Sequence, residues 1–324
     1  MPIINSLISW FITKRQYQID FFRKYPIEVQ EETLERILTK SKGTEFGLDH
    51  GIKDISSYND FRNQIPIREY NELKPYIQKA LDGQADILAP GEVKWFAKSS
   101  GTTSDKSKFI PVTREYMEDC HFRGGKDTIA LYYSNYPDAH MFMGKGLVIG
   151  GSHQISNFNS DAFFGDLSAV LLQNMPTWGH IFRTPDLSIA LMDEWEEKIE
   201  KMAQVTAQQN VTNFSGVPSW SLVLVNKILE ITGKSNLKEV WPKLEVFFHG
   251  GVSFEPYREQ FKKLIPDPMV YMETYNASEG FFAIQDDPRH SDLLLMLDYG
   301  VFYEFIPSDQ FESDSPLAIP LREV

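Results

Sequence analysis

From Val93 onward the chain alternates short, continuous apolar runs with amphipathic helical stretches, and that alternation excludes most architectures. The expected strands cover 146–149, 211–214, 246–248, 269–272, 293–297 and 301–306. A helix over 186–209 carries Trp195, Ile199 and Met202 at spacings of four and three. Another, over 218–231, opens on Pro218 and stops before Gly233, and a third covers 256–264. Strands that are apolar throughout, instead of alternating, are those buried on both faces. The pattern therefore predicts an α/β fold, a mostly parallel sheet flanked by helices. Only Asp298-Tyr299-Gly300 separates the last two runs, which predicts a hairpin there.

Upstream, the first ninety residues read as mainly helical. Leu34, Ile37 and Leu38 fall on one helical face, and a second helix over 71–81 closes at Asp82-Gly83. No linker rich in proline, glycine or serine divides the chain. Residues 1–90 are thus expected to form a helical N-terminal region packed on an α/β body over 91–324, the two making one large domain.

The charge balance of 32 basic against 45 acidic residues, net −13, repels nucleic acid and anionic membranes, so neither is an expected partner. An anionic substrate needs a local device against that field: a metal, a lysine or converging backbone amides. Cys120 is the single cysteine, which excludes an intramolecular disulfide or a multi-cysteine zinc site and points to a reducing, cytoplasmic location. Lys14 and Arg15 follow the apolar run 3–12 instead of preceding it, the wrong order for a signal peptide. That run reads as an amphipathic helix packed on the body, with an interfacial membrane helix as the alternative. No run approaches about 18 apolar residues, so no membrane span is expected. Nothing in the sequence specifies an oligomeric state.

Three segments carry chemistry. In the first, Ser99-Ser100-Gly101-Thr102-Thr103-Ser104, five hydroxyl side chains surround one glycine, and Lys106 and Lys108 follow. Small hydroxyl residues let backbone N–H groups approach an anion, and lysine adds point charge, although a solvated loop has the same composition. The second, His249-Gly250-Gly251-Val252, follows an expected strand. Paired glycines there admit a tight turn or a planar ligand against the backbone. His249 by itself reads more readily as a structural histidine than as a base. The third, Tyr275-Asn276-Ala277-Ser278-Glu279-Gly280, offers an aromatic face, a hydroxyl and a carboxylate suited to Mg²⁺, or alternatively a capped helix start. In open α/β sheets, ligands bind outside the carboxyl ends of strands, so these loops can converge on one crevice. Together they suit Mg²⁺-bound ATP.

With those residues in place, a resemblance emerges. Ser99-Ser100-Gly101-Thr102-Thr103 with Lys108 resembles the phosphate loop of the adenylate-forming superfamily, which includes acyl-CoA ligases and luciferase. Tyr275-Asn276-Ala277-Ser278-Glu279 resembles its Tyr-Gly-x-Thr-Glu motif. Further stretches narrow the likeness to the auxin-responsive acyl-acid amido synthetases: Thr44-Glu45-Phe46-Gly47, Phe61 to Ile67, Tyr70 to Ile77, Phe109-Ile110-Pro111-Val112-Thr113 and Tyr303-Glu304-Phe305-Ile306-Pro307.

The resemblance implies the large N-terminal domain of the adenylate-forming fold and a ligase that activates a carboxylic acid with ATP, then transfers the acyl group to an amine, usually an amino acid. It implies that Ser99, Ser100, Gly101, Thr102, Thr103 and Lys108 surround the phosphates. Gly250, Gly251 and Val252 would lie along the adenine, with Tyr275 stacked on it and Asn276 at its polar edge. Ser278 would contact the α-phosphate and Glu279 would hold Mg²⁺. Lys108, Ser278 and Glu279 are the implied catalytic residues. The chain departs from the pattern in three ways: Asp105 and Asn276 stand where the superfamily has glycine, and no Tyr-Arg-x-Gly-Asp motif is present. The expectation is therefore a chain that ends before the family's small C-terminal domain and does not complete the reaction alone. Two other functions fit the same motifs: an acyl-CoA ligase with a thiol acceptor, and a nucleotide-binding scaffold without turnover.

Overall fold

Apolar runs bounded by turns pair into a seven-stranded sheet in the computed structural model, which describes residues 14–99, 108–151, 156–157, 161–313 and 315–324. The run 3–12, together with Ser100, Gly101, Thr102, Thr103 and Asp105, lies outside the described residues. The strands of this sheet are β3 (Lys145–Val148), β6 (Arg183–Thr184), β7 (Val211–Gly216), β8 (Val246–Gly250), β9 (Val270–Ala277), β10 (Gly280–Ile284) and β11 (Leu294–Leu295). Their order is β11-β10-β9-β8-β7-β3-β6. Four neighbouring pairs from β6 to β9 are parallel, while β9–β10 and β10–β11 are antiparallel.

Helices cover both faces, as strands apolar throughout require. On one face Leu147, Phe214 and Phe247 pack against Ile199 and Met202 of helix Trp195–Thr206 and Leu224 and Ile228 of helix Pro218–Thr232. Phe214 and Phe247 stack at 4.1 Å, and burying each such ring contributes about 1.5–3 kcal/mol. On the other, Val246, Met272, Phe281 and Ile284 meet Leu131 and Tyr132 of helix Arg123–Asn135. The helix over 14–24 joins this second core through Ile19 and Phe22.

A second, four-stranded sheet runs β2-β1-β5-β4, from β1 (Trp95–Ser99), β2 (Lys108–Val112), β4 (Ser156–Asn157) and β5 (Phe163–Gly165). Helix Tyr70–Leu81 packs Ile77 and Leu81 against Phe96 of β1. None of these strands was among those expected from the sequence; β4 and β5, of two and three residues, are too short to show a period.

Two expectations are corrected. Segments 293–297 and 301–306 do not form a hairpin: β11 pairs with β10, whereas β12 (Glu304–Phe305) pairs with β13 (Ile319–Pro320). The expected helix over 186–209 is two helices, Leu187–Ala190 and Trp195–Thr206. Among the described residues no helix is long and apolar enough to cross a membrane.

Candidate nucleotide and acyl site

Two adjacent parallel strands, β8 and β9, bring their carboxyl ends to one edge of the sheet, with Gly250 opposite Thr274. Their approach is close. A Cβ on Gly250 would lie 2.2 Å from the Thr274 carbonyl oxygen, so no larger residue fits without parting the strands. Gly251 follows with φ 83°, a left-handed conformation that turns the chain off the sheet. Thr274 Oγ1 donates to the His249 carbonyl at 3.2 Å and ties the two ends together. Beyond β9, Ser278 and Glu279 form the tight turn into β10, so the alternative of a capped helix start does not hold. The register closes at Ala277 opposite Gly280, which leaves the two side chains at the turn itself.

A cleft of about 1070 Å³ opens at this edge and runs along the sheet face. Ser99, Gly250, Gly251, Asn276 and Ser278 line it. Lys108, Val252, Tyr275 and Glu279 stand outside its walls. Lys108 pairs across the ladder with Ser99, which sets the two ends of segment 100–107 side by side, and its Nζ lies 5.7 Å from the centre of the Tyr70 ring. Tyr275 is exposed and rests on Phe282 with ring centres 5.1 Å apart. Glu279 is exposed at the turn.

The cleft also contains groups that sequence reasoning missed. The helix from Arg114 to Asn135 is interrupted by a π-helical segment, Met117–Phe122, and this irregular turn grips the β9–β10 hairpin. His121 Nδ1 lies 3.0 Å from Asn276 Oδ1, Tyr116 OH donates to the Ser278 carbonyl at 3.4 Å, and Cys120 Sγ accepts from Phe281 N at 3.2 Å. Burial pushes the His121 imidazole down to about 4, so it is neutral, and its Nε2 has no hydrogen-bond partner among the described residues. With the proton on Nδ1 for Asn276, Nε2 is left as an acceptor in the cleft wall. The same burial raises the Cys120 thiol to about 11, which makes it a packing group and not a nucleophile.

His249 is 3% exposed, stacked on Phe254 at 4.1 Å and pushed by burial down to about 3. That is a neutral structural imidazole, as its sequence context indicated. Beneath the cleft Lys198, 1% exposed, donates to the Gly150 and Gly151 carbonyls at 2.6 and 3.0 Å and is lowered by burial to about 8. It pins the chain where β3 ends. No sequence signal separates it from the surface lysines of an amphipathic helix, because only the approach of the 150–151 carbonyls makes it a buried group.

The cleft thus joins a glycine pair, a hydroxyl-bearing turn and an apolar stretch of sheet face. Comparisons with known proteins bear on the family and the fold. A family model described as the GH3 family N-terminal domain matches residues 15–270. Over 92 residues, 28% of this chain and 16% of that one, the sequence is 39% identical to jasmonoyl–L-amino acid synthetase JAR6 of Nicotiana attenuata. Over 93 residues, 28% and 15%, it is 32% identical to indole-3-acetic acid-amido synthetase GH3.17 of Arabidopsis thaliana. The solved structure of AtGH3.15 acyl acid amido synthetase in complex with 2,4-DB superposes with a TM-score of 0.74 over 92% of this chain and 60% of that one, at 16% identity. An open conformation of 2-hydroxyisobutyryl-CoA ligase in complex with 2-HIB-AMP and CoA gives 0.52 over 86% and 60%, at 10% identity. These two likenesses establish the fold. The chain spans about 60% of the length of each solved relative.

Proposed function

This chain belongs to the GH3 family, and from that premise we propose that it is the large domain of an ATP-dependent acyl-acid amido synthetase. A carboxylate oxygen attacks the α-phosphorus of ATP and pyrophosphate leaves with the broken P–O bond. An amine, of an amino acid in this reading, then attacks the acyl carbon, forms the amide and displaces AMP. The observation that carries the proposal is the convergence of Ser99, Gly250, Gly251, Asn276 and Ser278 on one cleft at the carboxyl ends of β8 and β9.

Gly250, Gly251 and Val252 would lie along the adenine, with Tyr275 against its face and Asn276, steadied by His121, at its polar edge. Ser278 would meet the α-phosphate, and Ser99, with Lys108 and the segment 100–103, the remaining phosphates. The residues also fit Mg²⁺. Among the described residues no group of three His, Cys, Asp or Glu side chains could hold a metal alone. Mg²⁺ needs no such cage: it takes one or two carboxylates and completes its shell with water and substrate phosphates. Glu279, exposed beside Ser278, would be that carboxylate, and the bound ion would supply neutralising charge to the triphosphate in a chain of net −13. What the protein does otherwise is position two anions in line and exclude water.

Residues 1–90 and 91–324 are read as one body, with a small C-terminal domain completing the second step, and the single cysteine supports a cytoplasmic setting. Acid-dependent exchange of pyrophosphate into ATP by the full-length protein tests the first step. Presenting amino acids and coenzyme A to one pre-formed acyl-adenylate tests the second. Exchange followed by amide formation is expected. Thioester formation alone would make it an acyl-CoA ligase, and Mg·ATP binding without exchange would make it a nucleotide-binding scaffold.

A further inference from the structure

At the far end of the cleft the apolar wall is broken by two polar side chains. Arg183 on β6 and Asn213 on β7 both pair with Gly146 of β3, one on each side, so all three residues share one row and one face of the sheet. Each of the two polar residues is only 9% exposed, and each lines the cleft. Gly146 makes room for the Asn213 side chain: a Cβ there would lie 2.7 Å from Asn213 Oδ1. Met141, Phe142, Met175 and Phe182 line the same cleft. Arg183 is four strand spacings from β9 and Asn213 two, and the row continues through Val246 to Val270 of β9, six residues or roughly 20 Å along the strand from Asn276.

The hydrogen bonds already made specify what is left. Arg183 Nε donates to His180 Nδ1 at 2.9 Å and Nη1 to the Pro185 carbonyl at 2.6 Å, while Nη2 has no partner among the described residues. No carboxylate among the described residues lies within ion-pair distance of it. Asn213 Nδ2 donates to Met141 O at 3.4 Å and Thr212 Oγ1 at 3.2 Å, which orients Oδ1 over Gly146 as an unused acceptor. This stretch of the cleft wall therefore offers one charged donor and one neutral acceptor. A hydroxyl satisfies both, accepting from Arg183 and donating to Asn213. A second carboxylate would meet the Asn213 oxygen with lone pairs on both sides, and a bare hydrocarbon would leave two buried polar groups unpaired.

We propose that Arg183 and Asn213, flanking Gly146, form a subsite that selects acyl acids bearing a hydroxyl group remote from the activated carboxyl. The inference rests on the adenylation reading above and adds the substrate class. It also explains why two nine-tenths-buried polar side chains are retained in a wall of methionine and phenylalanine. Such a site rejects analogues lacking the hydroxyl by more than an apolar pocket can manage.

Pyrophosphate exchange by the full-length protein reads this step without any amine. The panel is a set of straight-chain and arylalkanoic acids, each unsubstituted or carrying a terminal hydroxyl, methoxy or carboxyl group. The hydroxyl form is expected to exceed the unsubstituted acid in kcat/KM by about 10- to 100-fold, with the methoxy and carboxyl forms falling back. In Asn213→Leu and in Arg183→Gln that ratio should collapse towards one, while Asn213→Asp, which keeps an acceptor oxygen, retains part of it. Calorimetric Mg·ATP binding reports that each variant is folded, and the acid panel on the parental protein stands even where a variant is not. Equal use of the unsubstituted acid, or preference for the dicarboxylic form, overturns the proposal and leaves adenylation intact. A hydroxyl preference seen in amide synthesis but not in exchange also overturns it, since the subsite would then serve the amine. No exchange with any acid removes the adenylation reading itself.

Discussion

His121 and Asn276, 155 residues apart in sequence, meet at 3.0 Å between Nδ1 and Oδ1, and this contact locks the π-helical turn onto the strand that ends at the Ser278 turn. In Asn276→Leu, His121 loses its partner while Nε2 already lacks one. The cost of a newly orphaned buried donor is about 1–3 kcal/mol, with a weaker grip on Mg·ATP. Denaturant midpoints and calorimetry check both. Unchanged values would mean that the pair is incidental.

Glu279 is exposed and unburdened by structure, so Glu279→Ala should leave the thermal midpoint within a degree or so of the parent. Acid-dependent pyrophosphate exchange should nevertheless be lost. Exchange at the parental rate would end the metal-holding role.

Gly250→Ala places a methyl group 2.2 Å from the Thr274 carbonyl oxygen, a backbone atom of the paired strand that cannot move aside as a side chain would. Overpacking of this kind costs about 1–3 kcal/mol and here also splays the strands that hold the nucleotide. The expected outcome is a lower denaturant midpoint together with weakened ATP binding. Full ATP affinity in the variant would show that β8 and β9 can part without harm to the site.

Arg15 anchors the helix over 14–24. Its Nε donates to the fully buried Asp127 at 2.8 Å, Tyr299 OH donates to the same carboxylate at 2.5 Å, and two further bonds reach Asp298 at 2.6 and 2.9 Å. Burial raises Asp127 while Arg15 opposes it. Removing one member of such a network leaves a buried charge undercompensated, so Asp127→Ala should destabilise by about 3 kcal/mol. Asp127→Asn should lose less. Chemical denaturation measures both, and a loss below about 1 kcal/mol for alanine would show that Asp298 alone suffices.

Low pH acts through His249. Its imidazole takes up a proton near 6.5 when unfolded but only at about 3 when stacked on Phe254. Between those values the unfolded state binds more protons, so this contribution to stability is complete above pH 6.5 and is lost as pH falls towards 3. His121, lowered to about 4, acts with the same sign. From pH 7 to pH 5 the parent should lose on the order of 2 kcal/mol more than His249→Phe. Parallel losses in the two proteins would place the histidine in solvent contact.

How far the sequence could be read depended on the range of the forces involved. Strands near 146–149, 211–214 and 246–248 were visible because burial on both faces writes a local signature, continuous apolar residues. The ends at 293–306 were misjudged for the converse reason. A three-residue spacer predicted a local hairpin, but Leu294 and Leu295 bury better against β10, and Glu304–Phe305 found its partner at Ile319–Pro320. The turn at Ser278-Glu279 carries residues that suit a helix cap equally well, and only the antiparallel return of β10 decided between them.

By itself the sequence determined the α/β class and the family, because periodicity and spaced motifs are written in neighbouring residues. The tertiary structure alone decided which groups share the cavity and in what state. His121, Lys198, Arg183 and Asn213 look like ordinary polar residues until distant segments close over them. Burial then neutralises one imidazole, pulls down a lysine and encloses an arginine and an amide on either side of a glycine. Desolvation is a property of the packed chain and not of any stretch of it.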